Sequence, residues 1–246
     1  MNILLFDLEN GSKTLGGKEA IQKEFKLPVL TPGTFQQFQE TLGQLYVEET
    51  VNEKVMVAGL SIDQPTKKIG LRGGLGDKID AVVIDTVSEL SKKYQRSLLN
   101  KQGVMQLQSW GQLRNKLDGM LEYVTRLPGI VICNCHGKIQ TMDTGENKIL
   151  PYIDGSTKED ISKWFDFVFY TKTIISGKET KYMWVTSHTS THDHAKDRTQ
   201  LLAPEIEQDY KQVIKVAIEK GFDGEKILVI GSPGTGKTLS LRTLTS

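Results

Sequence analysis

Gly231-Ser232-Pro233-Gly234-Thr235-Gly236-Lys237-Thr238 follows directly on the apolar run Ile227-Leu228-Val229-Ile230. The spacing is G-x-x-x-x-G-K-[ST], that of a phosphate-binding loop. Its glycines let successive backbone N–H groups turn inward around phosphate oxygens, and a helix that follows adds its positive end. Lys237 is placed to reach the β- and γ-phosphates, and Thr238 to ligate Mg²⁺. The strand before the loop and the helical run Leu239-Ser240-Leu241-Arg242-Thr243-Leu244 after it supply the context such a loop needs. All eight residues, Gly231, Ser232, Pro233, Gly234, Thr235, Gly236, Lys237 and Thr238, are therefore candidate nucleotide contacts.

Working outward, two more buried strands end in acids. Ile3-Leu4-Leu5-Phe6 runs into Asp7-Leu8-Glu9, and Ala81-Val82-Val83-Ile84 runs into Asp85. Continuous apolar runs of this kind belong to strands covered on both faces. In an open parallel sheet ligands bind at the carboxyl ends of strands, so Asp7 and Glu9 are candidates for chemistry. Asp85 has the place of a Walker B acid, which holds the water that completes a Mg²⁺ shell opposite the loop hydroxyl. A third run, Gly129-Ile130-Val131-Ile132-Cys133-Asn134-Cys135-His136, again puts polar groups at a strand end.

Between these strands the pattern predicts a helix from Thr34, a capping residue, with Phe35, Phe38, Leu42 and Leu45 on one face. Residues 13 to 33 read as a mobile link holding a short strand at Pro28-Val29-Leu30. Residues 51 to 80 suggest a β-hairpin insertion around Asp63-Gln64-Pro65-Thr66, with Gly70 to Gly76 a flexible loop, since no Lys-Ser/Thr follows those glycines. A helix is expected from Gln106 to Arg126, a polar loop from Gly137 to Pro151, and an amphipathic helix over 204–220. Phe165 to Tyr170 and Tyr182 to Thr186 read as two strands joined at Ser176-Gly177-Lys178. The sum is an α/β fold with a mostly parallel sheet and antiparallel strands at one edge.

The 246 residues carry 31 basic and 30 acidic side chains, a formal charge of +1, so any nucleic-acid contact must come from a local patch. The two cysteines lie too close on one strand for an ordinary disulfide, which points to a reducing compartment. The amino-terminal apolar run is broken by Asp7 and Glu9 and has no basic flank, so a cytoplasmic protein is expected.

The acids precede the phosphate loop, the reverse of the usual order in P-loop ATPases. Closed into a ring, the chain gives P-loop strand, helix, Phe6-Asp7-Leu8-Glu9, helix, Ala81 to Asp85, helix, then Ile130 to His136. That order resembles the RecA-superfamily core, and most closely the compact phage and prophage ATPases of that superfamily that act in single-strand annealing. The resemblance implies one RecA-like domain over residues 1–246, circularly permuted, with the P-loop strand and helix (225–246) moved to the carboxyl end. It implies ATP and Mg²⁺ as cofactors, Glu9 as the base that activates water, and Thr238 with Asp85 at the metal. It makes His136 a γ-phosphate sensor and Lys196-x-Arg198 a finger pair inserted into a neighbouring subunit's site. It also implies a ring or filament of like subunits, single-stranded DNA as partner, and Gly137 to Pro151, with Lys138 and Lys148, as the DNA-contacting loop.

Three other functions fit parts of the sequence. Cys133, Cys135 and His136 with His188, His192 and His194 offer zinc ligands, although no Cys-x-x-Cys spacing occurs. A nucleotide-ordered binding module would have the P-loop without needing Glu9. A small-molecule kinase is less well matched, because Lys196 and Arg198 are paired and no acceptor lid is evident.

Overall fold

The structure, a computed structural model, describes residues 1–72, 79–222 and 224–245. In chain order its elements are β1 (Ile3–Asp7), α1 (Lys18–Phe25), β2 (Val29–Leu30), α2 (Phe35–Leu45), β3 (Tyr46–Val57), β4 (Leu60–Leu71), β5 (Ala81–Asp85), α3 (Val87–Ser97) and α4 (Leu107–Thr125). There follow β6 (Ile130–Cys135), β7 (Gly137–Thr141), β8 (Asn147–Pro151), α5 (Thr157–Asp160), β9 (Phe167–Ser176), β10 (Glu179–Val185), β11 (Lys196–Asp197), β12 (Glu205–Glu207), α6 (Tyr210–Glu219), β13 (Lys226–Ile230) and α7 (Lys237–Ser240).

The described residues form a nine-stranded sheet in the order β12-β10-β9-β13-β6-β5-β1-β2, with β11 paired to β9. From β9 through β2 every neighbour is parallel, whereas β10, β11 and β12 join in antiparallel pairings. This is the mixed α/β sheet of a P-loop NTPase fold. The strand nearest the carboxyl end, β13, is central: it inserts between β6 and β9.

Alternation along each strand divides the core in two. Leu4, Phe6, Val82, Ile84, Val131, Cys133, Leu228 and Ile230 face α2, α3 and α4, meeting Phe38, Leu90, Leu117 and Leu121. Ile3, Leu5, Val83, Ile132, Ile227 and Val229 face the other side, meeting Ile21 and Phe25 of α1, Val213 and Ala217 of α6, and Leu241 beyond α7. Both faces are covered, which is why these strands are apolar throughout rather than alternating. The predicted cap holds: Thr34 accepts from Gln37 N while the Gln37 side chain reaches back to the Thr34 N–H, a reciprocal capping box.

Several expectations need correction. Residues 13 to 33 are not a mere link, since they take in the end of a 3₁₀ turn at Gly11–Leu15 and all of helix α1, whose Ile21 and Phe25 are buried; the short strand does form, as β2. The insertion is a hairpin, but it turns at Ala58-Gly59, both at positive φ, not near Pro65. Pro65 sits within β4, where a two-stranded ribbon tolerates a missing donor. Of the Gly70 to Gly76 segment, Gly70 and Leu71 end β4, and residues 73–76 lie outside the described residues. Gly137 to Pro151 is not a loop but the hairpin β7–β8. The expected helix over 204–220 begins only at Tyr210, capped by Asp209, because Glu205–Glu207 pairs with β10.

Candidate functional site

Parallel register brings the strand ends abreast: Asp7 is level with Asp85, and Asp85 with Asn134. Gly231 N donates to Cys135 O at 3.1 Å and Gly137 N to Gly231 O at 3.2 Å, tying the phosphate loop to the end of β6. A cavity of about 220 Å³ opens at this edge, lined among others by Glu9, Gly11, Asp85, His136, Lys237 and Thr238. Residues separated by most of the chain thus share one pocket.

The loop is shaped for anions. Gly234 and Gly236 have φ of 76° and 87°, a left-handed backbone that L side chains rarely adopt. A Cβ at Gly231 would overlap the Thr171 side chain, so β9 packs directly on the loop. Thr171 Oγ1 donates to Thr235 Oγ1 at 2.6 Å, which in turn donates to Ser232 O at 2.7 Å. Lys237, only 6% exposed, turns its Nζ to Gly231 O (2.7 Å) and Ser232 O (2.8 Å). Burial lowers its pKa against the raising effect of Asp85, Cys135 and Glu9. The ammonium is held at the loop's centre by carbonyls that a phosphate oxygen can replace.

Thr238 Oγ1 donates to Asp85 Oδ2 at 2.8 Å, and Asn134 Nδ2 donates to Asp85 Oδ1 at 3.1 Å. Burial raises the Asp85 pKa; the Thr238 and Asn134 hydrogen bonds oppose this, and the charges of Asp7 and Glu9 add to it. A cation at this carboxylate would remove that cost. A Cβ on Gly11 would lie 2.9 Å from Asp85 Oδ2 and 3.5 Å from Thr238 Oγ1, so glycine lets the backbone approach this pair closely. A hydroxyl beside a buried carboxylate is the oxygen chemistry that suits a hard divalent cation such as Mg²⁺.

Glu9 stands at the rim. His136 Nε2 lies 2.8 Å from both of its carboxylate oxygens, and Thr86 Oγ1 donates to Oε1 at 2.6 Å. Burial raises the Glu9 carboxyl, but the hydrogen bonds of His136 and Thr86 and the charges of His136 and Lys237 outweigh it, so the net shift is downward. His136 is itself fixed by Ser88, whose Oγ accepts from His136 N at 2.9 Å. Asp7, the other acid of this strand end, accepts from Gly11 N and Ser12 N at 2.8 and 3.1 Å and serves the backbone turn.

Lys196 and Arg198 are not part of this assembly. They lie beside the amino end of β9, across the sheet from the phosphate loop. Arg198 Nη1 donates to Asp166 Oδ1 at 2.7 Å and Lys196 Nζ to Ser162 O at 2.7 Å. The zinc ligands are not brought together either: Cys133 and Cys135 are buried free thiols, and among the described residues no group of three or more His, Cys, Asp or Glu could hold a metal. No helix of the described residues is long and apolar enough to cross a membrane.

Sequence reasoning missed Gly11, Thr86, Asn134, Thr171 and also Gln208, whose Nε2 donates to Thr235 O of the phosphate loop at 2.9 Å. Thr86 carried a signal, because a Thr after a strand-end Asp is a natural helix cap, and it does accept from Glu89 N. The others are set by tertiary register, which no local pattern reports.

No curated protein and no solved structure matches this chain. A family model described as an AAA domain matches residues 1–199, a span that includes Glu9, Asp85, His136, Lys196 and Arg198 and stops short of the phosphate loop. With its mostly parallel sheet and a nucleotide-binding loop at the sheet's carboxyl edge, the chain belongs to the AAA-domain family, a P-loop ATPase-type domain.

Proposed function

We propose that the protein is a Mg²⁺-dependent ATPase of the RecA-like kind, acting on single-stranded DNA in annealing or strand pairing during phage recombination. The observation that carries the ATPase reading is the Glu9–His136–Thr86 cluster facing Lys237 and Thr238 across one cavity. A base at a strand end, a loop cation and a metal-ligating hydroxyl are the parts that in-line phosphoryl transfer to water requires.

In the mechanism we infer, Lys237 and the loop N–H groups hold the β- and γ-phosphates. Asp85 and Thr238 would hold Mg²⁺, which when bound would neutralise charge on the phosphate oxygens. Glu9 orients a water and accepts its proton as the water oxygen bonds to the γ-phosphorus. The bond to the bridging oxygen breaks, and ADP carries the released electron pair away. His136 and Thr86 keep Glu9 ionised and oriented until phosphate arrives, and His136 then has a γ-phosphate oxygen within reach.

Support for DNA comes from hairpin β7–β8, which starts at the residue after His136. Tyr152 N donates to His136 O at 2.6 Å, and the Tyr152 ring, 38% exposed, lies beneath Lys92 and Lys138 at 4.7 and 5.5 Å. An exposed ring flanked by cations is a fitting platform for a stacked base. Lys148, by contrast, is engaged with Asp193 at 2.8 Å. Lys196 and Arg198 stand far from their own subunit's phosphate loop, which favours a reading in which they serve a neighbour in a ring or filament. The insertion of β13 between β6 and β9, with the family match ending before it, favours circular permutation of a single domain over 1–246. A cytoplasmic setting suits these partners.

ATP turnover measured with and without single-stranded DNA over a range of protein concentrations tests the proposal. Specific activity that rises with concentration and with DNA is expected. Flat activity would overturn shared sites, and indifference to DNA would overturn the recombination role. Full hydrolysis in Glu9→Gln would favour the binding-module reading, in which nucleotide orders an interface and Glu9 is dispensable.

A further inference from the structure

The ribbon β3–β4 stands apart from the central sheet. Its strands of twelve residues pair without a bulge from Tyr46–Leu71 to Val57–Leu60. Among the described residues, the hydrogen bonds that tie it to the rest of the chain are all at its foot, where Arg126 Nη2 donates to Glu48 Oε1 and Lys67 O at 3.2 and 2.9 Å. Directly opposed residues of an antiparallel pair share a face, and so do alternate residues along each strand. The pairs Val57–Leu60 and Val55–Ile62 therefore lie on one face at the tip, while the other face carries Met56–Ser61 and Lys54–Asp63. Val57, Leu60 and Ile62 are 51, 69 and 47% exposed. A two-stranded ribbon is marginal in water until its apolar face packs on something such as a helix.

A place that fits lies elsewhere on the same chain. Between α2 and α4 runs a groove of about 420 Å³ with Leu42, Met120 and Tyr123 in its walls. Gly43 and Gly119 also line it, and a Cβ on either would meet nothing beyond its own helix within 4 Å, so both positions leave the groove open. Past Gln39 and Lys116 it continues into a cleft of about 740 Å³ beside α3, a length that suits an extended segment. The charges match as well: Glu53, held by Lys68, borders the apolar pairs on their face of the ribbon, and the exposed Lys116 stands at the groove.

The tip and the groove of one chain cannot meet. Leu42 and Gly43 lie in the last turn of α2, which leads directly into β3, and Gly43 O accepts from Arg72 Nε, just past β4, at 2.8 Å. The groove is thus at the ribbon's foot, and a strand of twelve residues carries the tip roughly 35 Å away.

We propose that the face formed by Val55, Val57, Leu60 and Ile62 docks in the α2–α4 groove of a second copy of this chain. The contact is head-to-tail, and its repetition gives a ring or a filament. This interface rests on the ring-or-filament reading given above, which it supplies with a contact. Four side chains bury little area, so association is expected to be weak and concentration-dependent.

Sedimentation velocity of the full chain over a range of concentrations, with and without Mg²⁺-ATP, tests this on the wild type and three variants. Leu60→Glu charges the tip face, Gly119→Glu fills and charges the groove, and Met56→Glu charges the opposite face of the ribbon. Glutamate is a better helix former than glycine, so Gly119→Glu keeps α4. The wild type is expected to form larger species as concentration rises. Leu60→Glu and Gly119→Glu should each move that association to at least about tenfold higher concentration, and Met56→Glu should leave it unchanged. Mixed together, the two defective variants should form a one-to-one dimer and nothing larger, because one supplies an intact groove and the other an intact tip. Absence of that dimer would overturn docking of tip in groove, and an equal loss in Met56→Glu would overturn the choice of face. Wild-type association in either Leu60→Glu or Gly119→Glu would overturn this interface while leaving assembly itself standing. A wild type that stays monomeric throughout would overturn both the interface and the ring-or-filament reading.

Discussion

The two edges of the central sheet treat their charged groups in opposite ways. At the carboxyl edge, Glu9, Asp85, His136, Lys237 and Thr238 converge from distant parts of the chain, and their hydrogen bonds are provisional ones that a nucleotide can replace. At the amino edge, Lys196 and Arg198 are bound to Ser162 and Asp166 of their own subunit. The first region is arranged for a ligand. The cations of the second are already engaged by their own chain. The contrast teaches that one sheet can leave charged groups for a ligand at one edge and commit them to the fold at the other.

The largest effect expected from breaking this contrast is at Lys237. Lys237→Ala removes the cation that the loop carbonyls hold in place, and kcat/KM for ATP should fall on the order of 10²–10³-fold. Steady-state hydrolysis at saturating Mg²⁺ checks this, and retained ATP affinity together with retained turnover would refute the cradle.

Asp85 gives a smaller, pH-dependent effect. Its pKa is raised by burial, so the folded state holds the proton more tightly than the unfolded one. The stability it contributes is therefore full below the unfolded carboxylate value and declines as pH rises through the folded one. Asp85→Asn should flatten the fall in Tm over that window in nucleotide-free protein, and should abolish the extra stabilisation by ATP that depends on Mg²⁺. Thermal melts against pH, with and without Mg²⁺-ATP, would show both.

Arg198→Ala should do least to the fold. The pair with Asp166 is half exposed on the arginine side, so its loss should cost less than about 1 kcal/mol. Turnover should drop only at protein concentrations where subunits associate. Equal loss at every dilution would place Arg198 in its own subunit's chemistry and dissolve the contrast between the edges.

Much of the carboxyl edge was legible because a strand buried on both faces leaves an unbroken apolar run, and the residue after such a run must stand at the sheet's edge. That rule found Glu9, Asp85 and His136, and the glycine spacing found the loop. The rule is silent where burial is shallow. Helix α1 buries only Ile21 and Phe25 of its eight residues, so its period is faint. Strand β7 is largely exposed and polar, and β8 buries only Leu150 and Pro151, so the pair resembled a loop. Gly11 is essential in the geometry because Asp85 and Thr238 crowd its Cα. That crowding arises across the sheet, between residues with no local relation. The partners of Lys196 and Arg198 were equally hidden, because a charge pattern names a cation but not what holds it.

The central claim is that Glu9, held by His136 and Thr86, is the base of a hydrolytic site completed by a phosphate loop from the other end of the chain. Single-turnover hydrolysis by Glu9→Gln, alongside its Mg²⁺-ATP affinity, tests this most directly. The account predicts near-wild-type affinity with the hydrolysis rate reduced about 10²–10⁴-fold. A rate equal to that of the wild type at the same affinity would contradict it.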